Sequence, residues 1–270
     1  MSDQQSGADT NRPYTTVTYG EDPSQFVEIW DPTIAGNKGT AILIHGGYWR
    51  DFYGLDLMHS MAEHLTGRGW TVANVEYRRL AEPVGSADGD VVPDPDMWAK
   101  MSSDIKDAIA CATDPGLVED LDQTEPSPVV TIGHSAGGHL ALWAAKHARA
   151  DGVVALAPVA DLVSADRLSL SNGVVRRLLN GDSESRPERY RTASPLAAIP
   201  LGVPQLIVHG AADENVPQEM ALDYGAKAAA AGDRITVEAP KDVDHFHVID
   251  PGHKVWRTID GWIDELRARY

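Results

Sequence analysis

A single cysteine among 270 residues, Cys111, leaves no internal disulfide to consider. It falls in the helix-like run Met97 to Thr113, where a cysteine serves as a small buried apolar residue rather than a reactive thiol, and a reducing compartment suits it. Metal chemistry finds as little support. There is no cysteine cluster and no two-histidine helical motif, so neither a metal nor a cofactor is expected, and the ten histidines are left to loops and to proton transfer. No stretch approaches the roughly 20 apolar residues of a membrane span. Met1 to Pro13 lacks the apolar core of a secretory signal, so the expectation is a soluble, cytoplasmic protein. Positive charge is scarce too: 23 Lys and Arg stand against 40 Asp and Glu, a net charge of −17. That balance argues against nucleic acid and anionic membranes as partners, because phosphate binding needs clustered basic residues. Anionic substrates would be repelled as well, unless Arg50, Arg78 and Arg79 focus a local positive field. Internal repeats and low-complexity tracts are absent.

What is present is an alternation. Thr15 to Tyr19 and Phe26 to Trp30 read as two short strands of an opening antiparallel hairpin. Strand-like runs then follow at Thr40 to Ile44, Thr71 to Val75, Val129 to Ile132, Gly152 to Leu156, Gln205 to Val208 and Ile235 to Glu238. Between them lie helix-like stretches at Leu55 to Arg68, Met97 to Thr113, Ala136 to Ala150, Gln218 to Ala231 and Lys254 to Arg269. Such alternation implies βαβ units, hence an α/β fold with a mostly parallel central sheet covered by helices on both faces. The length suits one domain over residues 14–270, after a disordered stretch at residues 1–13. Residues 162–194 interrupt the rhythm and are the candidate for a small cap; Ala81 to Asp96, rich in Pro, Gly and Asp, reads as a surface loop.

In open sheets of this kind ligands gather at the carboxyl ends of strands, and the chemistry-bearing motifs fall there. Gly133-His134-Ser135-Ala136-Gly137 sits between a strand and a helix, the context of a nucleophile elbow, in which glycines permit a tight turn at a strained serine. Serine is a weak nucleophile until a base takes its proton, and the base needs an acid to orient it. Asp213, in His209-Gly210-Ala211-Ala212-Asp213, is the expected acid. His245, in Asp242-Val243-Asp244-His245-Phe246-His247, is the expected base. Asp161 is the rival acid and His247 the rival base. Glu214 reads as a solvated loop carboxylate, and His134, His139 and His209 as packing or loop-tethering residues. His45-Gly46-Gly47-Tyr48-Trp49 follows another strand and offers bare backbone donors for a developing oxyanion. Gly46, Gly47 and Ala136 are the expected donors, with the Tyr48 amide an alternative. Trp49, Tyr48, Trp98 and Phe246 are candidates for an aromatic-lined substrate pocket.

Taken together, His45-Gly46-Gly47-Tyr48-Trp49, Gly133 to Gly137, His209 to Asp213 and Asp244-His245-Phe246 resemble α/β-hydrolases of the kynurenine formamidase (arylformamidase) type, relatives of the hormone-sensitive-lipase-like esterases. The likeness spans roughly residues 25–265. Many esterases of the sister group carry a third glycine where Tyr48 stands, and Tyr77-Arg78-Arg79-Leu80-Ala81-Glu82-Pro83 looks like a variant of the Tyr-Arg-Leu segment in that wider group, with an extra arginine. The resemblance implies a metal-free serine hydrolase acting on an aryl formamide or a short-acyl ester or amide through an acyl-enzyme, with Ser135 as nucleophile, His245 as base then acid, and Asp213 as its orienter. A general short-acyl carboxylesterase is the alternative. An exopeptidase of the prolyl-oligopeptidase kind is disfavoured for want of a propeller-length N-terminal region. A non-catalytic ligand receptor on the same scaffold is the reading from a different class. The expected partner is a small-molecule ester or amide substrate, and a homodimer is allowed.

Overall fold

The computed structural model describes residues 13–81, 94–114, 116 and 127–270. The disordered stretch expected at residues 1–13 and the surface loop expected at 81–96 fall almost entirely outside these. Eight strands form one sheet: β1 (Thr15–Thr18), β2 (Phe26–Trp30), β3 (Thr40–Ile44), β4 (Thr71–Val75), β5 (Val129–His134), β6 (Gly152–Leu156), β7 (Gln205–Val208) and β8 (Ile235–Glu238). Their spatial order is β1-β2-β4-β3-β5-β6-β7-β8. The first three pair antiparallel and the rest parallel. Strands β3 to β7 are buried at every position, as parallel strands flanked by helices must be, and this is why they read as unbroken apolar runs rather than as alternation. The edge strands β1 and β8 are largely uncovered.

The helices are α1 (His59–Thr66), α2 (Met97–Ala112), α3 (Ala136–His147), α4 (Leu162–Arg167), α5 (Leu170–Leu178), α6 (Pro187–Ala193), α7 (Pro195–Ala198), α8 (Gln218–Ala230) and α9 (Trp256–Arg267). The single helix expected at Leu55 to Arg68 opens instead as a 3-10 turn over Leu55–Met58 before α1 begins. Two apolar layers sandwich the sheet. One joins α2, α3 and α8 through residues such as Ile105, Leu140 and Tyr224; the other joins α1 and α9 through Met61, Leu65, Trp256 and Ile259. Among the described residues no helix is long and apolar enough to cross a membrane. The segment 162–194 folds as α4, α5 and α6, and α5 opens with left-handed Ser171, Asn172 and Gly173.

The register brings the functional loops together. Ile44, the last residue of β3, is level with Gly133 in β5, so the His45–Trp49 loop emerges beside the turn that carries Ser135. Strands β7 and β8 are neighbours, so the loops after them emerge side by side.

Candidate active site

Ser135 occupies the turn between β5 and α3 with φ 56° and ψ −117°, a conformation that costs a non-glycine residue on the order of 1–3 kcal/mol. Close backbone contacts enforce it. A Cβ on Gly133 would lie 2.0 Å from the Gly137 carbonyl oxygen, and one on Gly137 would lie 2.0 Å from the Ile44 carbonyl oxygen. Only glycine at both positions lets α3 start directly over the ends of β3 and β5. The Ser135 amide donates to the Leu156 carbonyl at 2.8 Å, tying the turn to β6 as well.

The loop after β3 packs on this turn. A Cβ on Gly46 would come 3.1 Å from that of Ser135, so the bare backbone of Gly46 lies against the nucleophile. Gly47, Tyr48 and Trp49 are left-handed in succession, with φ 105°, 52° and 58°, and the run closes with the Arg50 amide donating to the Gly47 carbonyl at 3.0 Å. His45 braces it from below. Its buried ring contacts the Gly46 carbonyl at 2.8 Å and the Glu76 carboxylate at 3.1 Å and stacks on Tyr77. Burial opposes ionisation of Glu76, but the His45 hydrogen bond and charge, with the Arg79 guanidinium, hold its carboxyl below the usual range. Ala136 opens α3, so its amide has no intrahelical acceptor. The backbones of Gly46 and Ala136 thus adjoin Ser135, Gly47 lines the same cavity, and the Tyr48 amide belongs to the same turn.

The acid and base loops cross backbone to backbone. A Cβ on Gly210 would sit 1.8 Å from the Val243 carbonyl oxygen, and the Ala212 amide donates to that same oxygen at 3.1 Å. His245 Nδ1 lies 2.7 Å from Asp213 Oδ2. Nδ1 therefore carries the hydrogen, and Nε2 is left with the lone pair a general base requires. The other carboxylate oxygen, Oδ1, accepts the amides of Asn215 and Val216 at 2.8 and 2.9 Å. Burial would push the Asp213 carboxyl up, yet hydrogen bonds from His209, His245 and the Val216 amide outweigh it and hold the group well below the ordinary carboxylate range. His134 donates from Nε2 to the His245 carbonyl at 2.9 Å and packs its ring 4.6 Å from that of His245; burial, then the neighbouring His245, lower it to about 3.

Ser135 and His245 line one narrow cavity of about 60 Å³ with Gly47, Tyr48, Tyr53, Leu57, His134, Asn215 and Phe246. Tyr48 roofs it, its hydroxyl donating to the Asn215 carbonyl at 2.6 Å; burial, then the Asp213 charge, raise that hydroxyl to about 12. Phe246 is half exposed at the rim. Tyr53, Leu57 and Asn215 carry no sequence motif, and only the fold brings them here.

Two expected pocket residues belong elsewhere. Trp49 is fully buried in the core, because its left-handed backbone turns the indole away from the cavity, and Nε1 donates to His139 Nδ1 at 3.2 Å. Trp98 packs on His139 and Trp143, with ring centroids 5.5 and 5.3 Å apart. His139 completes this cluster by donating to the Ala193 carbonyl at 2.9 Å. The expected cap, residues 162–194, lies beside this cluster. None of its residues lines the cavity. It packs instead on α3, through the bond to Ala193 and another from the Trp143 indole to the Thr192 carbonyl. A larger cavity, about 370 Å³, lies beneath this segment between Asp161, Tyr190 and Leu196, apart from Ser135 and His245. Asp161 is the N-cap of α4, accepting the Val163 amide, and His247 pairs with Asp244 rather than Asp213. Glu214 is exposed. Of the arginines, Arg78 is bound through two nitrogens to Asp104 and Arg79 pairs with Glu76, so their charge is spent within the fold.

A sheet in this order, with a strained serine after β5, a carboxylate after β7 and a histidine after β8, defines an α/β-hydrolase of the serine hydrolase class. The chain belongs to the prolyl oligopeptidase family, whose model matches residues 99–266. Ser135, Asp213 and His245 all lie within the matched residues. Esterase LipC of Mycobacterium tuberculosis is 25% identical over 231 residues, covering 77% of this chain and 53% of its own length, so the chain spans about half of that relative. Among solved structures, a truncated carbohydrate esterase from gut microbiota superposes with a TM-score of 0.77 at 18% identity, covering 95% of this chain and 98% of that one. The propionate-bound esterase of Thermogutta terrifontis gives 0.70 at 21% identity, over 95% and 94%.

Proposed function

We propose that this serine hydrolase cleaves short-acyl esters and aryl formamides through an acyl-enzyme on Ser135. The observation that carries the proposal is the cavity itself. It holds Ser135 and the Asp213-paired His245 in about 60 Å³, small beside the roughly 300–1,000 Å³ of pockets for drug-sized ligands. In this reading Ser135 Oγ attacks the carbonyl carbon as His245 Nε2 takes its proton, and amides of Ala136 and the Gly46–Tyr48 turn receive the oxyanion. Asp213 stays ionised and stabilises the imidazolium. The tetrahedral species collapses when His245 returns the proton to the departing alcohol or amine, and water then repeats the cycle on the acyl-serine to release the acid. Tyr48, Tyr53 and Phe246 surround the mouth and suit an aromatic leaving group. The esterase names of the relatives support the ester half, while the arylformamidase resemblance supports the formamide half.

Comparing kcat/KM for p-nitrophenyl acetate, butyrate and octanoate with that for N-formylkynurenine tests both. A steep fall beyond butyrate is expected, with the formamide turned over as well as acetate or better. Activity confined to the esters would leave a general short-acyl carboxylesterase, whereas octanoate matching acetate would refute the small acyl site. Labelling by a fluorophosphonate probe reports whether Ser135 is activated at all, and a prolyl dipeptide p-nitroanilide checks for peptidase turnover.

A further inference from the structure

Two imidazoles, not one, approach Asp213 Oδ2. Besides His245 Nδ1 at 2.7 Å, His209 Nε2 lies 3.1 Å away, and both the His209 ring and the Asp213 side chain are completely buried. His209 Nε2 is also 2.9 Å from the Val216 carbonyl oxygen. A carbonyl only accepts, so Nε2 must carry the hydrogen, which is directed to Val216 while Asp213 Oδ2 lies 3.1 Å from the same polarised N–H. Nδ1 of the same ring is buried with no partner, an outlay that the fold tolerates for the sake of this orientation. The ring is fixed from both sides of its own backbone. Its amide donates to the Glu238 carbonyl, and its carbonyl accepts the Gln218 side chain at 2.6 Å.

We infer that His209 is a positioning residue for hydrolysis, holding Asp213 in place and drawing off part of the negative charge that Oδ2 presents to His245. The inference rests on the proposed serine-hydrolase chemistry of this site. With three hydrogen-bond donors on its carboxylate and the His209 N–H 3.1 Å from Oδ2, Asp213 is held in place and kept ionised, and its pull on the His245 imidazolium is tempered. Other ionisable groups face the pair from their own elements: His134 from β5, Tyr48 from the β3 loop with Arg50 behind it, and Asp244 beside His245. None of them hydrogen-bonds Oδ2, so the donor from His209 is the one whose removal changes that oxygen directly.

The sign of the effect follows. Without the His209 hydrogen, Oδ2 concentrates more charge against His245, the imidazolium is favoured, and the acid limb of the kcat/KM–pH profile moves to higher pH by about half a unit to one unit. His209→Phe should show that shift together with a fall in kcat. His209→Gln, whose side-chain amide can still donate, should return the limb to its wild-type position. A Phe variant with lowered kcat but an unmoved limb, or a Gln variant shifted as far as Phe, overturns the inference and leaves His209 a packing residue. If the Phe variant does not fold, the unmodified enzyme decides. Nitrogen-15 chemical shifts of His209 must report hydrogen on Nε2 from pH 6 to 9, and a ring with hydrogen on Nδ1 alone refutes the inferred orientation. Fluorophosphonate labelling of Ser135 is scored separately, so failure of the hydrolase reading cannot be mistaken for failure of this one.

Discussion

Gly137→Ala is the substitution whose consequences the geometry fixes most tightly. The added methyl would lie 2.0 Å from the Ile44 carbonyl oxygen and 2.4 Å from that of His45, whereas carbon and carbonyl oxygen rest at about 3.3 Å or more. Neither obstacle is a side-chain tip that can rotate away; both are backbone at the end of a buried strand. The first turn of α3 and the β3 loop must therefore separate by about 1 Å. Overpacking of this kind costs roughly 1–3 kcal/mol. For a chain of 270 residues that lowers Tm by on the order of 2–5 °C. The larger effect should be on rate, because the displaced parts are the Ala136 amide and the Gly46–Gly47 backbone on either side of Ser135, and a misplacement of about 1 Å can cost 10²-fold. Calorimetry and p-nitrophenyl acetate kinetics on the same preparation check the two halves. Gly261→Ala supplies the contrast: its methyl meets nothing within 4 Å inside α9, so it should stabilise by about 1 kcal/mol and leave kcat untouched. A Gly137→Ala enzyme with wild-type Tm and kcat/KM would refute the claim that glycine is required there by contact with β3.

Three further outcomes are expected. Asp213→Asn should lower kcat on the order of 10⁴-fold, whereas Asp161→Asn keeps an oxygen to cap α4 and should leave kcat near wild type; the reverse order in steady-state assays would transfer the acid's role. Because the Asp213 carboxyl is depressed in the fold, its ionisation contributes stability above the unfolded value near 4 and loses it as pH falls further. The stability gap between wild type and Asp213→Asn should therefore narrow in urea melts below about pH 4. His134 and His139 are lowered to about 3 and 4 by burial, below the unfolded value near 6.5, so the unfolded chain binds their protons first. Each should remove up to about 1.4 kcal/mol per pH unit between roughly pH 6 and its folded value, visible as a steepening loss of urea stability that His139→Gln partly abolishes.

Much of this molecule is legible in its residues, for identifiable reasons. The runs Ala41 to Ile44, Val129 to Ile132 and Val153 to Leu156 are apolar because both faces of a parallel strand are covered, and glycine pairs mark where backbones touch. Those two signals put Ser135, Asp213 and His245 beyond the carboxyl ends of β5, β7 and β8, on one side of the sheet. The failures are equally physical. Helices α4 to α7 are short, and one begins with a left-handed run, so residues 162–198 show no helical period beyond Val174 to Leu179. Trp49 follows a glycine pair in the motif and invites a role in the pocket, yet the direction of its side chain is set by a positive φ that no pattern in the residues announces. His209 stands four residues before Asp213, a spacing that allows contact in a turn, but only the closed loop shows that its ring reaches the same oxygen as His245.

Tyr48 carries one more implication. At φ 52° a tyrosine pays a conformational penalty that glycine would escape, while its ring lines the cavity that holds the nucleophile. A lone change to glycine would relax the main chain and remove one wall of the chamber, but it would also release the Asn215 loop that the hydroxyl holds at 2.6 Å. Chamber width and the anchoring of a neighbouring loop are thus tied to a single side chain.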